Sequence, residues 1–338
     1  MPDQSPSRPR RSVGLRHMAQ ALWYTAPGRI EIRTEQLAPP APGQALVRMA
    51  HSAVSRGTER LVFKGAVPET EWPRMRAPHQ AGDFPFPVKY GYSATGIVEA
   101  GPAELVGRNV FCLFPHQDLF VVDINWLVPV PDAIPLPRAT LTANMETALN
   151  ALWDAGAGPG DRIVVVGAGI VGLLIAHLAA RLPGVEVTLV DLLPERAGLA
   201  ETLGAQFATP TNAPPGADIV FHTTATSGGL ETAIACAGFE ATVVEMSWYG
   251  DRPTTVTLGG HFHSGRLRLI SSQVGQVSLS RRSRWNHRRR METAVGLLSV
   301  PSLDALVDNR IAFSEAKDKL PAVFDATAAD LPPVITYL

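Results

Sequence analysis

The sequence predicts an α/β protein in which a β-rich half precedes a doubly wound parallel sheet. The main observation is a direct succession of an apolar strand-like run, a glycine-rich turn and an apolar helix-like stretch between Ile163 and Asp191. Beyond it, short apolar runs alternate with segments of helical spacing, which is typical of a parallel sheet covered by helices. Before residue 150, short strand patterns are separated by Gly and Pro, and this favours a compact, barrel-like β structure.

The glycine-rich turn has the spacing of a dinucleotide-binding βαβ unit. It lies between the strand-like run 163–166 and a helix-like stretch, and reads Gly167-Ala-Gly169-Ile170-Val171-Gly172. Gly167 permits the tight turn, Gly169 lets the backbone approach a pyrophosphate, and Gly172 lets helix and strand pack closely. At the start of the helix, Ile170 and Val171 present free N–H groups to the phosphates. The alternatives are incidental glycines, or a unit that binds FAD or another nucleotide.

Asp191 ends the second strand of this unit, about 20 residues after the glycines. A carboxylate there accepts hydrogen bonds from the adenosine ribose hydroxyls and repels the 2′-phosphate of NADP. We therefore expect NAD rather than NADP. Arg196 is the main argument against this preference, because a nearby arginine can hold a 2′-phosphate; its alternative role is to cover the adenine.

Composition excludes several classes of protein. The chain of 338 residues suits two domains, and 30 basic residues against 31 acidic ones leave a net charge of -1, so we expect neither nucleic acid nor membrane as a partner. Two cysteines, Cys112 and Cys236, form neither a disulfide framework nor a cysteine-rich zinc site, which favours the cytoplasm. Residues 1–17 are polar and basic without the apolar region of a signal peptide, and we expect a disordered extension.

The pattern predicts the remaining elements in chain order. Strands are expected in 18–35 (two strands around the turn Ala26-Pro27-Gly28), 45–51, 96–101, 109–114, 119–123, 185–190, 218–222, 242–246, 267–270 and 334–337. Helices are expected at 137–153, 195–203, 230–237 and 288–298. The histidines at 116, 222, 261 and 263 are scattered, and we assign them no site.

Three segments resemble the medium-chain dehydrogenase/reductase superfamily, to which the zinc alcohol and polyol dehydrogenases belong. They are Gly91-Tyr-Ser-Ala-Thr-Gly96-Ile-Val-Glu, Gly160 to Gly169, and Val190-Asp-Leu-Leu-Pro-Glu-Arg196. The resemblance implies a GroES-like β-barrel catalytic domain over 18–150 and 281–338, with a Rossmann NAD-binding domain over 151–280. It further implies a cofactor in the cleft between these domains, and a homodimer.

The positions of the superfamily's catalytic zinc ligands are altered in this chain. A cysteine is replaced at or next to Ser55, the histidine of the G-H-E segment by Tyr92, and only the third position, near Glu146, keeps a candidate ligand. A catalytic zinc site needs three protein ligands and an open position. The four-cysteine lobe of structural zinc is also missing. We therefore expect no zinc and no other metal.

Without zinc, another group must polarise the carbonyl or accept the alcohol proton. Tyr92 is the first candidate, since it occupies the position of a lost metal ligand, and Ser55, Thr58 and Glu59 are candidates to pass the proton on. Glu146 is a candidate base. The alternatives are that Tyr92 only fills the vacated space and that Glu146 is paired with an arginine such as Arg56.

A basic run, Ser280 to Arg290, follows a segment that the superfamily brings near the nicotinamide. Arg281 and Arg282 are therefore candidates to hold an anionic substrate, and Trp72, in the long Pro-, Arg- and Trp-rich stretch 65–88, is a candidate contact for a bulky one. The alternative is a solvated helix start with salt bridges.

Taken together, these features predict a zinc-independent, NAD-linked oxidoreductase that interconverts a secondary alcohol and a carbonyl by hydride transfer. Two alternatives stay open: an NADPH-dependent enoyl- or quinone-type reductase, and a non-catalytic NAD-binding protein. The sequence does not identify the substrate, the reaction direction, the stereochemistry of hydride transfer or the group that replaces zinc.

Overall fold

The computed structural model describes residues 17–325 and 330–337. The expected N-terminal extension therefore lies outside the described residues, except for His17, which opens the first strand. None of the helices in these two ranges is long and apolar enough to cross a membrane.

The β-rich half forms where the pattern places it, as two sheets. One contains β1 (His17–Ala26), β2 (Arg29–Leu37), β4 (Ala81–Gly82) and β5 (Val88–Lys89); the other contains β3 (Gln44–Ala53), β6 (Ala94–Ala100), β7 (Asn109–Cys112), β8 (Leu119–Asp123) and β9 (Val128–Pro129). The predicted turn joins β1 to β2, and its Gly28 has a φ of 75°, which glycine adopts without strain. In the second half of β6, buried Gly96 and Val98 alternate with exposed Ile97 and Glu99, whereas β3 is buried along most of its length.

The C-terminal segment returns to this half. After α9 (Ala316–Val323), strand β17 (Val334–Thr336) pairs antiparallel with β3, and β16 (Arg310–Ala312) pairs with β17. The last described residues thus complete the sheet that contains β3, as the two-part catalytic domain requires.

The second half is a six-stranded parallel sheet in the order β12-β11-β10-β13-β14-β15. Its strands are β10 (Arg162–Val166), β11 (Glu186–Val190), β12 (Gln206–Ala208), β13 (Ala217–His222), β14 (Ala237–Glu245) and β15 (Arg268–Ser271). The covering helices include α4 (Ile170–Ala179), α5 (Ala197–Leu203), α6 (Ser227–Cys236) and the short α7 (His261–Ser264). This is the Rossmann order, and it confirms the predicted fold class. The short β12 was not predicted, because three residues carry too little periodicity.

Further helices lie between the two halves: α2 (Leu136–Ala139), α3 (Thr142–Ala155) and α8 (His287–Leu297). Met145 and Ala148 of α3 are fully buried in one cluster with Leu173 and Leu174 of α4. The boundary predicted at residue 150 falls inside α3, so this helix is shared by the two halves.

Helix α1 (Arg56–Lys64) is the main element that the sequence pattern did not predict. Only Leu61, Val62 and Phe63 form its apolar face, and its first residues are polar. A helix of nine residues is marginal on its own, so packing stabilises it more than local sequence does.

Candidate active site

The glycine-rich turn has the geometry that a dinucleotide needs. Gly167 has a φ of 111°, and a Cβ on Gly172 would lie 1.9 Å from the carbonyl oxygen of Gly167. A Cβ on Gly169 would meet no atom within 4 Å. Gly167 and Gly172 are therefore required by the protein's own structure, whereas the space beside Gly169 is open to a pyrophosphate.

Helix α4 begins immediately after Gly169, so the N–H groups of Ile170 and Val171 are among those without a partner within the helix. The side chain of Ile170 is buried in the core. Its contribution to a bound phosphate is therefore its backbone N–H and the positive end of the helix dipole.

Asp191 joins the end of β11 to the glycine turn. One carboxylate oxygen accepts a hydrogen bond from the N–H of Ala168 at 2.6 Å, and the other accepts one from the N–H of Leu193 at 2.9 Å. Arg196 is buried nearby, in a turn that begins at Pro194. Burial, followed by the positive charges of Arg196 and Arg60, lowers the pKa of Arg56, while Asp330 and Asp191 oppose this effect. Arg56 of α1 thus lies within the electrostatic reach of the predicted adenosine site.

The structure brings Tyr92, Ser55 and Thr58 together. The Tyr92 hydroxyl donates a hydrogen bond to Oγ of Ser55 at 2.5 Å and is also hydrogen-bonded to the Thr58 side chain. Burial raises the pKa of Tyr92, and these two hydrogen bonds oppose the rise only in part. At neutral pH the phenol therefore keeps its proton and is a hydrogen-bond donor.

Glu59 lies on α1, one turn after Ser55. It belongs to a group that we call the Glu59 cluster: Tyr24, Ser52, Glu59, His116 and Tyr337. Its Oε2 accepts a hydrogen bond from the Tyr24 hydroxyl at 2.8 Å and lies 2.9 Å from Nε2 of His116. Nδ1 of His116 lies 2.7 Å from Oγ of Ser52, which lies 2.8 Å from the Tyr337 hydroxyl. The side chains of Glu59 and His116 are completely inaccessible to solvent.

Glu59 is tied to the predicted relay through the backbone. Its Oε1 accepts a hydrogen bond from the N–H of Ser55 at 2.7 Å. Burial raises the pKa of Glu59, but His116, the Ser55 N–H and Tyr24 together outweigh this effect and leave it lowered. In the described structure Glu59 is therefore a charged group that fixes the start of α1 and the position of Ser55.

Four members of the Glu59 cluster were missed by sequence reasoning: Tyr24, Ser52, His116 and Tyr337. They lie far apart in the chain, and no motif connects them. One signal was present in Gly91, which has a φ of 124° and whose Cβ would lie 3.0 Å from the ring of His116. A glycine before Tyr92 is thus required by the histidine that packs against it.

A loop of the parallel sheet, residues 246–252, reaches across to helix α1. A Cβ on Gly250 would lie 2.6 Å from the carbonyl oxygen of Ala66, and Trp248 packs against the same apolar cluster as Tyr92 and Trp72. The loop thus joins the carboxyl edge of the parallel sheet to the end of α1 and to the apolar cluster that Tyr92 packs against.

Comparisons with known proteins agree with this arrangement. Residues 165–226 match the model of an NAD(P)-binding Rossmann-like domain. D-guloside 3-dehydrogenase of Escherichia coli is 24% identical over 304 residues, covering 80% of this chain and 86% of the relative. The crystal structure of L-idonate 5-dehydrogenase from Escherichia coli superposes with a TM-score of 0.77 at 14% identity, over 96% of this chain and 99% of that one.

One relative decides the family. (R,R)-butanediol dehydrogenase of Bacillus subtilis is 30% identical over 255 residues, covering 65% of this chain and 71% of the relative. The chain belongs to the medium-chain dehydrogenase/reductase superfamily. The resemblance inferred from the three segments is confirmed, together with a domain that binds a nicotinamide dinucleotide.

Glu146, at the third position where the resemblance implies a zinc ligand, is paired with an arginine. Oε1 of Glu146 forms an ion pair with Nε of Arg290 at 2.8 Å, and both side chains are buried. The same guanidinium donates to Oδ1 of Asn150 at 2.6 Å and to the carbonyl oxygens of Gln276 and Val274. Glu146 is therefore paired with an arginine, as the alternative to a base has it, but the partner is Arg290 of the basic run and not the suggested Arg56.

The donor set does not fit a catalytic zinc. Ser55 and Tyr92 are neutral hydroxyls bonded to each other, and Glu146 is bonded to a guanidinium. Within residues 17–325 and 330–337, no group of three or more His, Cys, Asp or Glu is arranged to hold a metal.

The structure places the three candidate substrate residues in two different regions. Trp72 donates from Nε1 to the carbonyl oxygen of Val67 at 3.0 Å and packs against the same apolar cluster as Tyr92. Arg281 stacks over the ring of Trp153, with Cζ 5.6 Å from its centroid, and Arg282 donates to the carbonyl oxygen of Val277. Trp153 is seven residues after Glu146 on α3, about 10 Å along the helix axis. The arginines thus lie at the far end of that helix.

Two glycine substitutions are expected to separate folding from cofactor binding. Gly172→Ala should destabilise the fold by about 3 kcal/mol, because its Cβ overlaps a backbone oxygen. Gly169→Ala should keep the wild-type melting temperature and lose at least about tenfold in NADH affinity, since the methyl group enters the pyrophosphate space. Thermal denaturation and NADH fluorescence titration measure the two effects. The control is Gly198→Ala, whose Cβ also meets no atom. Wild-type NADH affinity in Gly169→Ala would contradict this placement.

Glu59→Gln is expected to destabilise the protein by about 3 kcal/mol at pH 7, because it leaves the Glu59 cluster without its charge. The lowered pKa of Glu59 means that its contribution is complete above the ordinary glutamate pKa and is lost as the pH falls through the folded-state value. The free-energy difference from wild type should therefore shrink in acid. Urea denaturation at several pH values measures it, with the exposed Glu69→Gln as the control. Equal stability of the two variants at pH 7 would refute a stabilising role for this charge.

Proposed function

We propose that this superfamily member is a zinc-independent, NAD-linked oxidoreductase that interconverts a secondary alcohol and a carbonyl in the crevice between its two halves. The observation that carries the proposal is the Tyr92 hydroxyl, which is held by Ser55 and Thr58; the resemblance assigns its position to a zinc ligand. The dehydrogenase names of the relatives support the reaction class.

A nicotinamide cofactor, when bound, would supply or take up the hydride. The chain's own task is to manage the substrate oxygen and its proton. Because the phenol of Tyr92 keeps its proton at neutral pH, in this proposal it turns its one hydroxyl hydrogen from Oγ of Ser55 to that oxygen when substrate binds, and so polarises a carbonyl. Ser55 and Thr58 orient the phenol and pass the proton on, while Glu59 holds the start of α1. Glu146 acts in this proposal through Arg290, as a positioning group rather than as the base.

Trp72 limits the substrate space beside Tyr92 in this proposal, because its ring packs on the same apolar cluster. Arg281 and Arg282 are assigned only a secondary role, toward an anionic tail that extends along α3. We further propose a cytoplasmic homodimer. Strand β15 supports the dimer, since it is the edge of the parallel sheet and Leu269 is 40% exposed there.

One observation favours the NADPH-dependent reductase as the second candidate. Arg196 is buried, and both it and Asp191 act electrostatically on Arg56. A guanidinium in this region is suited to a 2′-phosphate. The preference for NAD rests on Asp191, whose carboxylate is anchored by two backbone N–H groups.

Tyr92→Phe is expected to lower kcat about 100-fold or more on an alcohol and carbonyl panel, because the variant lacks the donor to the substrate oxygen. NADH affinity should stay within about twofold of wild type. Steady-state kinetics and fluorescence titration measure these quantities. Unchanged turnover with unchanged NADH affinity would remove Tyr92 from the mechanism, and NADH binding without turnover by wild type would favour a non-catalytic protein.

The same wild-type sample also tests zinc independence. Protein purified without chelator is expected to contain only substoichiometric zinc and to keep its turnover after dialysis against a chelator. Stoichiometric zinc whose removal abolishes turnover would overturn the zinc-free proposal.

Cofactor preference tests the role of Asp191. The wild type is expected to bind NADH at least about tenfold more tightly than NADPH, and Asp191→Ala should lose most of this difference because it removes the charge that repels the 2′-phosphate. Glu195→Gln is the matched control, since it removes an exposed carboxylate four residues away. A wild-type preference for NADPH would move the reductase ahead.

A further inference from the structure

A second charged group lies at the carboxyl edge of the parallel sheet, apart from the residues discussed above. We call His222, Glu245 and Tyr249 the Glu245 triad. His222 ends β13 and Glu245 ends β14, and the two are direct partners in the parallel register. His222 is also paired with Val166, the last residue of β10. The triad therefore stands at the same level as the start of the glycine turn.

The triad holds one carboxylate in a fixed orientation. Oε2 of Glu245 lies 2.7 Å from Nδ1 of His222 and accepts a hydrogen bond from the Tyr249 hydroxyl at 3.0 Å. Its Oε1 accepts a hydrogen bond from the N–H of Ser247 at 2.8 Å. The other ring nitrogen of His222 lies 2.6 Å from Oγ1 of Thr224, so both nitrogens of the histidine are engaged.

Glu245 keeps its charge and retains some access to the crevice. The side chain of His222 is fully buried, whereas that of Glu245 is 17% exposed. Burial raises the pKa of Glu245, but the hydrogen bonds from His222 and from Ser247 outweigh it and leave the pKa lowered. The three donors thus preserve a carboxylate where solvent alone would stabilise it poorly.

The strand order shows which part of the dinucleotide this carboxylate faces. Asp191 ends β11, on one side of β10, and marks the adenosine half; the pyrophosphate belongs at the glycine turn after β10. The remaining half must extend to the other side of β10, over β13 and β14. Those strands end on His222 and Glu245. The nicotinamide half therefore falls on the side of the Glu245 triad.

The chemistry of the nicotinamide ring gives a fixed carboxylate a selective effect. The oxidised ring carries a positive charge and the reduced ring is neutral. A buried negative charge nearby stabilises the oxidised form by Coulomb attraction and leaves the reduced form almost unaffected, since little water screens the interaction. Discrimination of this kind depends on charge and not on shape.

We propose that Glu245, oriented by His222 and Tyr249, binds the nicotinamide half and selects the oxidised cofactor over the reduced one. A protein that binds the oxidised form more tightly makes the bound reduced form a stronger hydride donor. For the alcohol–carbonyl reaction, and only in so far as that proposed function holds, the triad favours carbonyl reduction on the protein. The selectivity itself depends on cofactor binding alone.

The test compares the affinities of NAD⁺ and NADH, by calorimetry and by fluorescence, for wild type and Glu245→Gln. The variant keeps the shape of the side chain and removes its charge. NAD⁺ affinity is expected to fall about tenfold and NADH affinity to change by less than about twofold. Tyr249→Phe keeps the charge and should change the ratio of the two affinities only about two- to threefold. Glu240→Gln is the matched control, since it removes an exposed carboxylate of the same strand, five residues before Glu245.

Two outcomes would overturn the inference. One is that Glu245→Gln weakens both cofactors equally or leaves their ratio unchanged, which would make the triad purely structural. The other needs no variant and so covers the case in which Glu245→Gln does not fold: wild type should bind NAD⁺ at least as tightly as NADH, and a preference for NADH of about tenfold would contradict the selection. Wild-type binding of neither cofactor would instead refute the proposed function. The two failures are therefore distinguishable.

Discussion

The N-terminal half depends on one buried carboxylate. Glu59 accepts hydrogen bonds from Tyr24 on β1 and from the N–H of Ser55 before α1, and it is paired with His116, which extends the contact through Ser52 to Tyr337 beside β17. A buried charge is costly unless every partner is in place. The elements that meet at Glu59 are therefore held in one arrangement, and Tyr92 and Ser55 are oriented as a consequence.

The same principle applies to the contact between the two halves. Arg290 is fully buried, and its guanidinium reaches Glu146 and Asn150 on α3 as well as the carbonyl oxygens of Val274 and Gln276. The segment 274–276 follows the last strand of the parallel sheet and is thereby fixed to α3. Glu146 thus has a structural partner, which explains why a carboxylate is tolerated so deep in the protein.

The crevice is asymmetric in charge. Asp191 lies on the adenosine side with Arg196 and Arg56 within electrostatic reach, whereas Glu245 on the other side is held as a charged carboxylate by His222, Ser247 and Tyr249. The neutral hydroxyls of Tyr92, Ser55 and Thr58 line the catalytic half. The three regions therefore differ in charge, and in the proposed reaction the phenol has the polarising role that a cation has in zinc enzymes.

Local sequence determined the elements whose pattern is strong: the longer strands of both halves, the glycine turn and Asp191, because burial periodicity and backbone geometry act over a few neighbouring residues. The short strands β4, β5, β9, β12 and β16 were not predicted, since two or three residues carry too little pattern. It also placed Tyr92, Ser55 and Thr58 in one site, through a resemblance in a short motif. Only the tertiary structure decided that His116 and Glu59 are partners, that Arg290 rather than Arg56 neutralises Glu146, and that His222 meets Glu245. The physical reason is common to all three pairs. A buried ionisable side chain is stabilised by whichever partner the folded chain brings within about 3 Å, and residues separated by long stretches of chain leave no local pattern of that encounter.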